Sequence, residues 1–120
     1  MPVALSVSGA PCWYRQRALA WLPRRIAPRA VRMAQYPGSL DVRDLGYRWG
    51  SLGKNDRLNI HWAAMQFPVS LLDYVIVHEL AHIGEPRHTP GFWAAVERAL
   101  PDYGQRKSHL TTTGATLWLG

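Results

Sequence analysis

Three histidines and a glutamate fall within the eleven residues HELAHIGEPRH, from His78 to His88, in a chain that holds five histidines in all. His78 and His82 stand four residues apart, so on a helix both imidazoles leave the same side and can aim a nitrogen at one point. Glu79 is turned about 100° from His78, too far round to bind the same ion but close enough to reach a water beside it. The pattern predicts a zinc (Zn2+) centre: the metal acidifies a water, and Glu79 takes its proton as general base for attack on a carbonyl.

A catalytic zinc site takes three protein ligands and keeps a fourth position open. The candidates for the third are His88, Glu85 and Glu97. His88 comes six residues after His82, just before a helix start at Thr89 and Pro90, and the turn from Gly84 to Pro86 can swing it back over the first helix. Glu85 sits on the turn itself and would have to fold sharply toward the ion, while Glu97 lies on the polar side of the following helix. His88 is favoured, with Glu97 as the fallback. The spacing H-E-x-x-H-x5-H also matches metzincins, which carry glycine three residues after the second histidine and a methionine turn downstream. Here Glu85 holds that position and Met1, Met33 and Met65 all lie upstream, which excludes that family.

Several elements must position these residues. FPVSLLDYVIVHELAHIGEP reads as a helix with Ser70 as N-cap, Asp73 three residues on as a variant capping box, and Gly84 and Pro86 at its end. Leu72, Ile76, Leu80 and Ile83 form one apolar stripe; Leu71, Tyr74 and Val75 share a side with His78 and His82; Val77 and Ala81 cover a third. The helix is therefore central and buried. A buried Glu79 needs a partner, because an unpaired carboxylate in apolar surroundings costs several kcal/mol or shifts its pKa. A second helix follows, with Thr89 as N-cap, Pro90 as first residue, Phe92, Trp93, Val96 and Leu100 as its apolar face, and Pro101 as its stop.

Upstream, LDVRDLGYRWGSLGKNDRLNIHWA alternates with period two on both sides of the turn-rich GSLGKND. This predicts a β-hairpin or small antiparallel sheet, with Gly46, Gly50 and Gly53 at turns or a bulge. From Trp13 the apolar spacing is helical, but Pro23 and Pro28 interrupt it, so two helical pieces with a kink or break are expected before the Pro-Gly turn in YPGS. Residues 1 to 12 read as a mobile leader, 111 to 120 as a tail without an evident partner, and 1–120 as a single domain.

YRWGSLGKNDRLNIHW followed by LLDYVIVHELAHIGEPRHTPGFWAAVERALPDY resembles the YgjP-like family of metal-dependent hydrolases, relatives of SprT-like zinc peptidases. The likeness rests on R-W-G-S (Arg48 to Ser51), on D-Y-V-I-V-H-E-L-A-H, and on E-P-R-H-T-P-G-F-W, and it spans roughly residues 13 to 109. It implies an α+β, zincin-like minimal domain with helices packed on a small sheet, His78, His82 and His88 as ligands and Glu79 as general base. It also implies a zinc metallopeptidase acting on peptide or protein substrates. Many relatives read R-W-G-S-C where this chain has Leu52, so no thiol chemistry is expected there. Longer members carry a further β-rich N-terminal region, which makes this chain either a minimal version or one that borrows a partner for substrate binding. In zinc peptidases an edge strand beside the cleft holds an extended substrate, a role open to the segment around Arg48 to Ser51 or to Leu58 to Trp62. Arg48, Trp49 and Tyr74 are the substrate-binding candidates, and Arg48 or Tyr74 could also donate to an oxyanion. Trp49 and Trp62 have core packing as their ordinary role, and His61 reads as a hydrogen-bonded histidine rather than a ligand.

The remaining composition bounds the alternatives. The chain carries 14 basic against 8 acidic residues, a net charge of +6, and its 48% hydrophobic content is that of a globular domain. Between Trp13 and Leu40 lie six arginines, Arg15, Arg17, Arg24, Arg25, Arg29 and Arg32, and no acid. That block is either a solvated helix face or a nucleic-acid contact, the latter giving a second reading: a nucleic-acid-associated factor in which zinc is mainly structural. A lone cysteine, Cys12, cannot form an internal disulfide, and neither an export signal nor a membrane-spanning run is present. A cytoplasmic protein with no membrane partner is expected.

Overall fold

The computed structural model describes residues 12–46, 48–113 and 118–119. Helix α1 spans Cys12–Met33, strand β1 Ser39–Arg43, β2 Arg48–Gly53 and β3 Arg57–His61; helices α2 (Val69–Gly84), α3 (Pro90–Ala99) and α4 (Tyr103–Thr113) follow, and β4 is Trp118–Leu119. The expected α+β class is what the structure has. The expected leader lies outside the described residues except for Cys12, which opens α1.

One helix, rather than two pieces, runs through Pro23 and Pro28. Ala18, Leu22, Ile26 and Ala30 recur every four residues and are all buried, whereas both prolines are exposed. The missing N–H groups therefore fall on the solvent side, and burial of the opposite stripe holds the helix together.

The sheet order is β1-β3-β2-β4. The predicted hairpin is present: β2 and β3 run antiparallel with Gly50 opposite Ile60 and Leu52 opposite Leu58. Asn55 and Asp56 make its turn with φ of 57° and 56°. The sheet as a whole is mixed rather than antiparallel, because β1 joins β3 in parallel, Ser39 to Arg43 against Arg57 to His61. This strand sits between β1 and β2 and so cannot serve as a substrate-binding edge. The other edge of β2 is also taken, by β4, which pairs with it in parallel at Arg48 and Gly50. Within the expected tail of residues 111 to 120, Thr111 to Thr113 complete α4, and Trp118 and Leu119 join the sheet.

Every residue of α2 from Leu71 to His82 is buried. It lies under the sheet and is flanked by α1, α3 and α4, as its all-round apolar pattern predicts. Its start differs from the expected capping box. The helix begins after Pro68 with no side-chain cap, and Asp73 turns away to accept hydrogen bonds from Arg25 (2.6 Å) and Arg29 (3.3 Å) of α1. Two cationic partners outweigh one backbone N–H as a solution for a buried carboxylate. The α3 cap is as expected, with Phe92 N–H donating to Thr89 Oγ1 at 3.2 Å.

Candidate metal centre

The α2 helix presents His78 and His82 from successive turns, and the chain after Gly84 brings His88 back to them. One ring nitrogen from each of the three lies within 4.8 Å of the others. His78 Nε2 and His88 Nε2 are 3.2 Å apart. Metal–nitrogen distances of about 2.0–2.1 Å place two tetrahedral ligands about 3.3–3.4 Å apart, so this pair fits one edge of a zinc site. His82 Nδ1 lies 3.0 Å from the Glu85 carbonyl oxygen. Donation of an Nδ1 proton to that carbonyl fixes the ring and leaves Nε2 with its lone pair, the arrangement a ligating histidine needs. The donor set therefore fits a zinc ion.

Of the other ligand candidates, Glu85 contributes its backbone instead. Its carboxylate accepts from Thr89 Oγ1 at 3.3 Å and so braces the loop carrying His88. Glu97 is exposed on α3. Among the described residues, only the three histidines form a group able to hold a metal.

Glu79 is fully buried. It lines a cavity of about 210 Å³ together with His82, Arg48, Ser51, Leu52 and Pro86. Its close neighbour on the sheet is Gly50: a Cβ there would stand 3.1 Å from Glu79 Cγ, 3.3 Å from its Oε2 and 3.0 Å from Val75 Cγ1. The glycine of the R-W-G-S segment thus lets β2 press onto α2 directly over the carboxylate. In the sequence this glycine marks only a turn or bulge; its approach to a helix on another element has no local signal. Phe92 was similarly missed as part of the site. Its ring packs 4.9, 4.5 and 5.0 Å from those of His78, His82 and His88, forming an apolar floor under the three imidazoles.

Of the substrate-binding candidates, Arg48 is exposed and lines the cavity, whereas Trp49 and Tyr74 are core residues. Trp49 packs edge-on against Phe67 at 4.4 Å and His61 at 5.7 Å. The Tyr74 ring stands 5.8 Å from that of His78. Burial, followed by the charge of Glu79 and by Tyr103, pushes its hydroxyl pKa up and keeps it a neutral donor. His61 is buried and hydrogen-bonded: Nδ1 accepts from Ala63 N–H at 3.0 Å and Nε2 faces Asp44 at 3.5 Å.

The arginine block divides. Arg15 pairs with Asp41 at 2.6 Å, while Arg25 and Arg29 pair with Asp73. Arg17, Arg24 and Arg32 are exposed. No helix among the described residues is long and apolar enough to cross a membrane.

A buried His-Glu-x-x-His helix beneath a small sheet, with a third imidazole returned by the following loop, defines a metallopeptidase. The chain belongs to the YgjP-like family: the model of the YgjP-like metallopeptidase domain matches residues 8–113. The fold is also similar to that in the crystal structure of the metallopeptidase zymogen of Pyrococcus abyssi abylysin, with a TM-score of 0.74 at 18% identity, covering 82% of this chain and 99% of that one. No curated protein matches the chain.

Proposed function

We propose that this metallopeptidase is a zinc enzyme that cleaves peptide bonds, with His78, His82 and His88 holding the metal and Glu79 acting as general base and then general acid. The observation that carries this reading is the convergence of three imidazole nitrogens within 4.8 Å beside a cavity that Glu79 and His82 both line. Zinc held there supplies the Lewis acid that acidifies water and polarises the scissile carbonyl. Glu79 takes a proton from the attacking water as the new C–O bond forms, and returns it to the departing amine nitrogen as the C–N bond breaks. Glu85, through its carbonyl, holds His82 in the ligating tautomer. Phe92 and the surrounding helices exclude bulk water from the far side of the imidazoles.

The test is elemental analysis and peptide hydrolysis on the wild type and Glu79→Gln. Stoichiometric zinc in both, with hydrolysis about 10²–10⁴-fold lower in the variant, is expected; a wild-type protein that neither retains zinc nor melts lower with chelator overturns the reading. The nucleic-acid alternative has only Arg17, Arg24 and Arg32 behind it, since the other three arginines of the block are committed to ion pairs inside the fold.

A further inference from the structure

Strand β2 changes phase beside the site. Against β4, Arg48 pairs with Trp118 and Gly50 with Leu119, so β2 advances two residues where its partner advances one. Such a shift re-aims side chains, and bulges of this type gather next to active sites. Here it accompanies a division of the strand: Trp49 turns into the core against Phe67, while Arg48 and Ser51, three residues apart, both line the cavity that holds Glu79 and His82. In an unbroken strand, residues an odd number apart point to opposite faces.

Arg48 is the one arginine or lysine lining this cavity. Among the described residues no carboxylate pairs with it, unlike Arg15, Arg25, Arg29 and Arg106. Ser51 adds a hydroxyl. Its Oγ accepts from Asn59 Nδ2 at 3.2 Å, across the β2–β3 ladder where the two residues are partners. That bond fixes the oxygen and leaves the hydroxyl proton for another acceptor. Of the other lining residues Leu52 and Pro86 are apolar, while Glu79 and His82 belong to the candidate metal centre. A guanidinium and a hydroxyl donor lining one cavity are the chemistry that recognises a carboxylate.

We infer that Arg48, assisted by Ser51, forms a carboxylate subsite that makes the enzyme select peptides bearing an acidic side chain or a free C-terminal carboxylate close to the scissile bond. This rests on the peptidase reading. It assigns the outer edge of the cleft a role in specificity, with Arg48 touching substrate and Asn59 acting only through Ser51. The strand's backbone edge at Arg48 and Gly50 is occupied by β4, which leaves recognition here to side chains.

The test uses the full zinc-loaded chain and a set of peptides identical except for Glu, Gln or Lys at each position flanking the scissile bond, each made with a free and with an amidated C-terminus. The expected result is kcat/KM about tenfold higher for the carboxylate-bearing members, a value suited to an exposed guanidinium pairing with a carboxylate. Arg48→Glu should erase or invert this preference toward Lys, and Arg48→Lys should keep part of it. Loss of preference on amidation alone assigns the subsite to a terminal carboxylate; loss on Glu→Gln alone assigns it to a side chain. Equal cleavage of the whole set, or a uniform fall in kcat for every peptide in Arg48→Glu, overturns the inference, because a uniform fall is the signature of a group acting on the scissile carbonyl. If no peptide is cleaved, the peptidase reading is what has failed. Calorimetric binding of the same peptides still decides the subsite: tighter binding of the acidic members that Arg48→Glu abolishes supports it, and equal binding sinks it.

Discussion

Asp73 and Glu79 stand on the same helix six residues apart, and both are carboxylates removed from water, Asp73 with 4% and Glu79 with 0% of its surface exposed. Around Asp73 the fold places two guanidiniums, and Arg29 extends the link by donating to the Ala99 carbonyl at 3.2 Å, so one carboxylate ties α1, α2 and α3 together. Around Glu79 it places a glycine strand, a cavity and three imidazoles. Burial of a carboxylate therefore says nothing by itself about function: guanidinium partners make it a structural tie, and, in the function proposed above, an open cavity beside the imidazole triad makes it a proton carrier. The contrast predicts opposite profiles on substitution.

The largest effect belongs to Glu79→Gln, where hydrolysis should fall by about two to four orders of magnitude while the melting temperature stays near that of the wild type, since the amide keeps the shape of the carboxylate. A large stability loss in this variant would erase the distinction. Asp73→Ala should do the reverse. It leaves Arg29 and Arg25 without their counter-charge and is expected to cost about 2–3 kcal/mol, less than the ~3–5 of a fully buried pair because Arg25 is 36% exposed. Denaturant titration would measure the loss, and the folded fraction should still bind zinc. An Asp73 variant of wild-type stability would show that the ion pairs are surface decoration.

Gly50→Ala probes the contact between the sheet and the proposed general base. A methyl group 3.0 Å from Val75 and 3.1 Å from Glu79 must displace one of them, at about 1–2 kcal/mol, and kcat should fall because Glu79 moves. Unchanged kcat with lowered stability would mean the strand packs on α2 without positioning the carboxylate.

The smallest effect is that of His61, the last residue of β3. Burial lowers its pKa, against the opposing charge and hydrogen bond of Asp44. The unfolded chain, with a histidine pKa of about 6.5, then binds more protons as the pH drops. The stability contributed by neutral His61 is present above about pH 6.5 and is lost as pH falls through the lower folded value. Melting curves from pH 8 to 5.5 should show a steeper decline in the wild type than in His61→Gln; parallel curves would remove His61 from the pH response.

Legibility followed the range of the interactions. The α2 and α3 helices, their buried faces and the Thr89 cap could be read because helical periodicity and caps depend on residues within about four positions of one another. The α2 start was misread for a long-range reason: Asp73 serves Arg25 and Arg29, 48 and 44 residues away, instead of its own helix end. Continuity of α1 through two prolines depended on which side they faced. The α4 helix escaped notice because YGQRKSHLTTT has no apolar stripe; Leu110 is its buried anchor, and Tyr103 stacks on Trp93 at 5.7 Å. The hairpin was legible, but the parallel addition of β1 to β3 was not, since alternation reports a face and not a neighbour.

What the amino-acid order determined unaided was the candidate site: two imidazoles and a carboxylate whose relative directions follow from 3.6 residues per turn, with a turn able to return a third imidazole. Tertiary structure brings the favoured His88, and not Glu85 or Glu97, to them; it alone decided that Gly50 covers Glu79, that Arg48 faces the cavity while Trp49 does not, and that half of the arginine block is used within the fold. The physical reason is that backbone geometry fixes where neighbours along a helix point, whereas contacts between elements are set by which buried surfaces, charges and hydrogen bonds can all be satisfied at once.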